Sequence, residues 1–335
     1  MRTVIGVFLT LIAAVPIWAQ APIIDMHLHA YAADFSGPQR TAQCVSPESL
    51  VTWDQTETYG EAWGRILTQP PCESPVWAPE TDEAIMAETL EALDELNIFG
   101  VVSGTPEKVL EYVSSAAGRL YPGLEFGLGL EGADFTLEEL RDLHSQSRLT
   151  VLGEITNQYA GIAPDDERME PYWALAEELD IPVAVHVGTG PPGAIYLGFG
   201  NYRAHLHSAL TLEEVLVRHP SLRVQVMHAG YPLLDDLLAV LYAHPQVYVD
   251  VGAIIWLLPR DEFYRYLQAI VTAGYRNRVM FGSDQMIWPG LIERSVAIIQ
   301  EAPFLNAEQK RDILYNNAAR FLRLSDQEIK RHHEM

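Results

Sequence analysis

Basic side chains are scarce in this sequence. Lys and Arg number 22 against 45 Asp and Glu, a formal net charge of −23. That balance leaves no broad cationic surface to follow a phosphate backbone, so a nucleic-acid partner is excluded. The charge speaks for solubility rather than for a particular partner. Cysteine is scarcer still. Cys44 and Cys72 are the only two, which limits the chain to a single disulfide. Long apolar runs are missing apart from the N-terminus, where Val4 to Trp18 follows the positive Met1-Arg2-Thr3 and leads into Ala19-Gln20-Ala21. This run is too short to span a bilayer and reads as a secretory signal over residues 1–20, cut near Ala19. No cysteine follows it to accept a lipid. Past residue 20 no linker-like stretch divides the chain, and Gly188-Thr189-Gly190 lacks the lysine of a phosphate loop.

Nearly half of the residues are apolar, enough for a substantial core. Short apolar runs recur at Ile23–His29, Ile98–Ser103, Leu124–Leu130, Leu149–Ile155, Pro182–Val187, Leu222–His228, Val247–Val251 and Val279–Gly282. Amphipathic stretches such as Asp82–Leu96, Leu137–His144, Pro171–Leu179, Leu233–Ala243 and Glu262–Ala273 lie between them. Eight strand-like runs alternating with helices predict an α/β fold with a parallel sheet buried on both faces. A closed (β/α)₈ (TIM) barrel over residues 21–325 suits eight units better than an open sheet. Two connections are long: Tyr31 to Pro79 after the first strand, with both cysteines, and Gly188 to Ser208 after the fifth. Both leave the face on which barrel active sites are built, where long connections serve as lids or pocket walls. In an oxidising compartment Cys44 and Cys72 can join across the first, or they remain separate thiols. Residues 326–335, with His332 and His333, read as a disordered polar tail.

Polar residues close the apolar runs. His27 and His29, one residue apart in Asp25-Met26-His27-Leu28-His29, project to the same side of a strand. Glu154 follows in Leu152-Gly153-Glu154-Ile155, His186 in Val183-Ala184-Val185-His186, His228 in Val226-Met227-His228-Ala229-Gly230, and Asp284 in Met280-Phe281-Gly282-Ser283-Asp284. A single histidine at a strand end is commonly a satisfied core residue. Four histidines and two carboxylates at five strand ends of one barrel point to a divalent metal site. Zinc comes first, while manganese, iron and cobalt suit the same donors. His205-Leu206-His207 repeats the spacing but sits in a Gly/Pro-rich connection, away from any strand end. Arg203 in that connection is either a surface residue or a receptor for a substrate carboxylate.

This set of strand-end residues resembles the amidohydrolase superfamily, most closely its amidohydrolase-related branch, which also contains decarboxylases. The similarity runs over nearly all of residues 22 to 325, and the segments ending in His228-Ala229-Gly230 and Ser283-Asp284 are its most specific pieces. The resemblance implies a (β/α)₈ barrel with one or two divalent ions at the C-terminal face. It implies metal ligation by His27, His29, His186 and Asp284, with Asp284 also taking a proton from the attacking water and passing it to the leaving group. His228 either binds a second ion or stands off the metal and orients water or substrate. Glu154 takes the fourth-strand position where many members carry a bridging carboxylated lysine and some a glutamate. It reads either as a bridging ligand or as a carboxylate that orients a histidine. The expected activity is an exported, metal-dependent hydrolase of an amide, ester or lactone bond in a small-molecule substrate, periplasmic or secreted. The expected protein has no membrane contact after signal removal, and self-association stays open. A decarboxylase of aromatic or unsaturated acids, or a silent ligand-binding barrel, is the alternative.

Overall fold

In a computed structural model covering residues 21–188 and 190–335, the apolar runs become eight strands. These are β1 (Ile23–His29), β2 (Ile98–Ser103), β3 (Leu120–Phe126), β4 (Val151–Ile155), β5 (Val183–Val185), β6 (Val224–Val226), β7 (Val247–Asp250) and β8 (Val279–Met280). Each pairs in parallel with the next, in sequence order. Two backbone hydrogen bonds complete the ring from β8 to β1: Met26 N donates to Phe281 O at 2.9 Å, and Asp284 N to His27 O at 2.8 Å. Helices such as Asp82–Glu95, Leu234–Ala243 and Arg260–Ile270 lie between strands, and Gly290–Glu301 follows the last one. The predicted signal segment falls outside the described residues. No helix among the described residues is long and apolar enough to cross a membrane.

Two packed clusters flank the strands. Ile23, Leu28, Val102, Val183 and Val226 join the layer shared with the helices. Ile24, Met26, Phe99, Val101 and Met280 pack in a second cluster inside the ring. Strict alternation from Ile24 and Met26 would turn His27 and His29 away from the interior. The β1–β2 register shifts between Asp25 and Leu28. Such a bulge changes the alternation by one residue and brings both imidazoles inward.

The third strand departs from its predicted span. It runs over Leu120–Phe126, not Leu124–Leu130, and includes Pro122 and Gly123. Pro122 contributes its carbonyl, accepting from Thr150 N at 2.8 Å. Gly123 lies where any Cβ would stand 2.4 Å from Ser103 Oγ on β2, so only glycine permits that spacing.

Cys44 and Cys72 form a disulfide in the first long connection. The connection also contains the helix Tyr59–Thr68 and a short antiparallel ladder, Ala42–Gln43 with Val76–Trp77. Its contacts with the barrel include Ser46 N donating to Trp256 O at 2.7 Å and Trp288 Nε1 to Thr41 O at 3.2 Å.

Residues 326–335 correct the expectation of a disordered tail. Asp326–Glu334 is a helix opened by a Ser325–Glu328 capping box. It buries His332 completely. That ring stacks on Phe99 with centroids 3.6 Å apart, and its nitrogens meet the Tyr121 and Tyr315 hydroxyls at 3.0 and 3.1 Å. Polarity misled the reading because one amphipathic turn needs only one buried side chain. Burial, reinforced by Arg331, pushes His332 down to about 4. Its folded pKa lies below the unfolded value, so its contribution to stability is complete above about pH 6.5 and declines as the pH falls toward 4. His332→Ala is expected to cost about 2 kcal/mol near pH 8. The gap from wild type should narrow on acidification, read by denaturant melts at several pH values. A gap that is constant from pH 8 to pH 4 would refute this.

Candidate metal centre

The strand ends deliver their polar side chains to one point. His29 Nε2 lies 3.1 Å from Asp284 Oδ1, and His27 Nε2 lies 3.8 Å from the same oxygen. Glu154 stands between two groups. Its Oε2 is 3.5 Å from His29 Nε2 and 3.8 Å from His27 Nε2, while its Oε1 is 3.3 Å from His228 Nε2 and hydrogen-bonds His186 Nδ1. His228 Nε2 and His186 Nδ1 are 3.0 Å apart. All six side chains are buried. His228 and Asp284 reach their positions with φ of 55° and 50°, a left-handed backbone that residues other than glycine adopt sparingly.

Buried carboxyls and amides fix these ligands in place. Asp250 at the end of β7 accepts from His27 Nδ1 at 3.2 Å and is itself held by Gln225 Nε2 at 2.8 Å and Gly252 N at 2.6 Å. This leaves His27 Nε2 facing the cluster. His228 Nδ1 donates to Gly252 O at 3.0 Å, which turns its Nε2 inward in the same way. Asp25 Oδ1 accepts from the amides of His27 and Ser283, both at 3.0 Å, and Gln285 exchanges two hydrogen bonds with the backbone of His29. These clamps tie β1 to the residues after β8. A Cβ at Gly252 would stand 2.6 Å from His27 Nδ1, so the absence of a side chain there is part of the arrangement.

The electrostatics are those of a cation site. Burial opposes charge on Glu154, yet His186, His228 and His27 hold its carboxyl well below the usual range. Burial likewise opposes charge on Asp284, and His27 and His29 hold it low. His27 is raised well above its ordinary value because Asp284, Asp250 and Glu154 outweigh its burial. His27 Nε2 and Asp284 Oδ1 are buried without a hydrogen bond of acceptable geometry among the described residues. His27, His29 and Asp284 form one set with ligand atoms within 4.8 Å of one another, and His27, Glu154 and His228 form another. Imidazole and carboxylate donors with unsatisfied lone pairs suit a divalent ion.

Several residues stand differently from their sequence reading. His207 is buried, with its ring 5.5 Å from that of His186 and 4.6 Å from that of Tyr202, whereas His205 is exposed. Burial, with His186 and His228 nearby, pushes His207 down to about 3 and keeps it neutral. Arg203 is exposed, and its Nη1 donates to Gly200 O and Tyr202 O at 3.1 and 2.7 Å. Asp250, Tyr31, Tyr159 and Glu125 belong to the site and were missed. Tyr159 OH lies 3.2 Å from His186 Nε2, and Tyr31 stacks on His29 at 4.3 Å. A lone Asp closing the seventh apolar run was the available signal for Asp250. Nothing in the linear pattern marks the tyrosines.

A sequence profile of the family described as amidohydrolase matches residues 24–324. No curated protein matches the chain by sequence. Among solved structures, an uncharacterised TIM-barrel protein from Bordetella bronchiseptica is 17% identical with a TM-score of 0.56, over 90% of this chain and 98% of that one. A probable 2-pyrone-4,6-dicarboxylic acid hydrolase from Acinetobacter baumannii is 16% identical with a TM-score of 0.57, over 90% and 99%. A dihydroxybenzoic acid decarboxylase from Polaromonas, solved with bound manganese and an inhibitor, is 13% identical with a TM-score of 0.57, over 92% and 98%. At these identities the likeness establishes the barrel, and the neighbours include both hydrolases and decarboxylases.

Proposed function

Because the chain belongs to the amidohydrolase family, we propose that it is an exported hydrolase with a two-ion centre bridged by Glu154, cleaving an amide, ester or lactone bond in a small molecule. The observation that carries the two-ion reading is the division of Glu154, with Oε2 beside His27 and His29 and Oε1 beside His228 and His186. One ion would be held by His27, His29, Asp284 and Glu154, the other by Glu154, His186 and His228, with zinc the first candidate. The disulfide fits an oxidising compartment.

A bound divalent cation would lower the pKa of water to about 7 and polarise a carbonyl. The chain's own residues do the rest. Asp284, kept ionised by the histidines around it, accepts the proton of the attacking water and returns it to the leaving nitrogen or oxygen. Tyr159, beside His186, offers a hydroxyl donor to the substrate carbonyl. The buried surroundings exclude bulk water from the exchange.

Elemental analysis together with ester, lactone and amide panels tests this reading. About two ions per chain and hydrolysis are expected, with Glu154→Gln reduced to one ion or fewer. No stoichiometric divalent metal would end it, and carbon dioxide release from aromatic acids with no panel hydrolysis would establish the decarboxylase instead.

A further inference from the structure

The side of the cluster next to His29 carries a carboxyl that metal binding does not use. Glu125 on β3 lies in register with Glu154 on β4, because the flanking pairs are Leu124 with Gly153 and Phe126 with Ile155. Its carboxyl meets the Tyr31 hydroxyl and lies near His29 and Glu154. Asp25, Glu154, Asp250 and Asp284 are all buried, whereas Glu125 is only partly covered. It is the least covered acid of this group.

The Lys and Arg side chains of this face are engaged with other partners. The eight connections leaving the C-terminal ends of the strands contain four Lys or Arg residues, Arg40, Arg65, Arg168 and Arg203, and the first turns of the helices after β2 and β7 add Lys108, paired with Asp82, and Arg260, which donates to Ser46 Oγ. Arg40 donates to Ala78 O, Arg65 pairs with Glu57, Arg168 pairs with Asp166, and Arg203 donates to its own loop. A substrate carboxylate next to Glu125 would meet a second acid, a juxtaposition that disfavours binding. An apolar route leads outward from the same point. Tyr31 stacks on Phe35 at 4.0 Å, and Phe35 is half exposed.

We infer that Glu125, with the Tyr31 hydroxyl, selects substrates that present a hydrogen-bond donor, such as an ammonium, amide N–H or hydroxyl, beside the scissile bond, and rejects those with a carboxylate there. An aromatic or aliphatic group on the same substrate carbon runs along Tyr31 and Phe35. The reaction catalysed rests on the hydrolase reading above, but this selectivity is a property of binding and can be measured without turnover.

Three hydroxamates share a metal-chelating head and a benzyl group and differ in one substituent on the α carbon. Phenylalanine hydroxamate carries an amino group, 3-phenylpropanohydroxamate a hydrogen and 2-benzylmalonic monohydroxamate a carboxylate. Calorimetry on the zinc-loaded full chain should give the amino compound a Kd at least about tenfold below that of the carboxylate compound. Glu125→Gln should bring the ratio within about threefold while metal content is unchanged, and Tyr31→Phe should reduce it in part. A ratio near one in the wild type, or one that Glu125→Gln leaves unchanged at full metal content, overturns the inference. If the ratio holds and the ester and amide panels show no hydrolysis, the reaction assignment fails while the selectivity stands. If none of the three hydroxamates binds, both fail.

Discussion

Asp284→Asn is expected to lower kcat by about 10³-fold or more, with the fold and most of the bound metal retained. Asparagine keeps the size of the side chain and one oxygen facing His29, but its amide cannot take a proton. The backbone should tolerate it. Asp284 has φ 50°, and its amide donates to His27 O. Asparagine, like aspartate, is among the residues that enter the left-handed region with least strain. The expected set of results is therefore lost turnover, a melting temperature within about 2 °C of wild type and near-normal metal content. Normal turnover by the variant would remove Asp284 from proton transfer. A large loss of metal would instead make its role chiefly ligation.

Removal of the metal is the second large effect. Without an ion, Glu154 and Asp284 are balanced by protons on the surrounding histidines, and both His27 and His228 are raised despite their burial. Metal binding requires those nitrogens unprotonated, so it releases protons and weakens as the pH falls below their raised values. An ion present at about 1,000 times its Kd stabilises the native state by about 4 kcal/mol. Two such ions would raise the melting temperature by about 10–15 °C at this chain length. Dialysis against a chelator should abolish turnover and lower the melting temperature by about that amount, and zinc or manganese should restore both. The shift on re-addition should be larger at pH 8 than at pH 6. A melting temperature indifferent to chelation would refute a metal-filled centre.

Most of the site could be read from the linear chain because strand ends are where a parallel barrel collects chemistry. His27, His29, Glu154, His186, His228 and Asp284 each interrupt an otherwise apolar run, and a charge in such a place needs a reason. Glu125 escaped the same logic through one boundary. With the third strand read as Leu124–Leu130, Glu125 fell near its start. The strand actually ends at Phe126, which puts Glu125 level with Glu154. The strand also takes in Pro122 and Gly123, and only the approach of Ser103 from the neighbouring strand shows why a glycine stands there. His207 was discounted for lying in a loop, yet the loop folds back over His186. The C-terminal helix was missed because its one buried residue, His332, is polar.

The sequence by itself determined the barrel, through eight apolar runs separated by amphipathic stretches. It determined the class of site as well, because six polar residues close those runs. Only the tertiary structure decided which way β1 turns its histidines, since a bulge between Asp25 and Leu28 overrides simple alternation. Only the tertiary structure divided the two oxygens of Glu154 between two histidine pairs and set Glu125 beside them. Strand periodicity is a local property that the chain carries along its length. Register, bulges and the approach of loops are relations between distant segments, and they exist only once the barrel has closed.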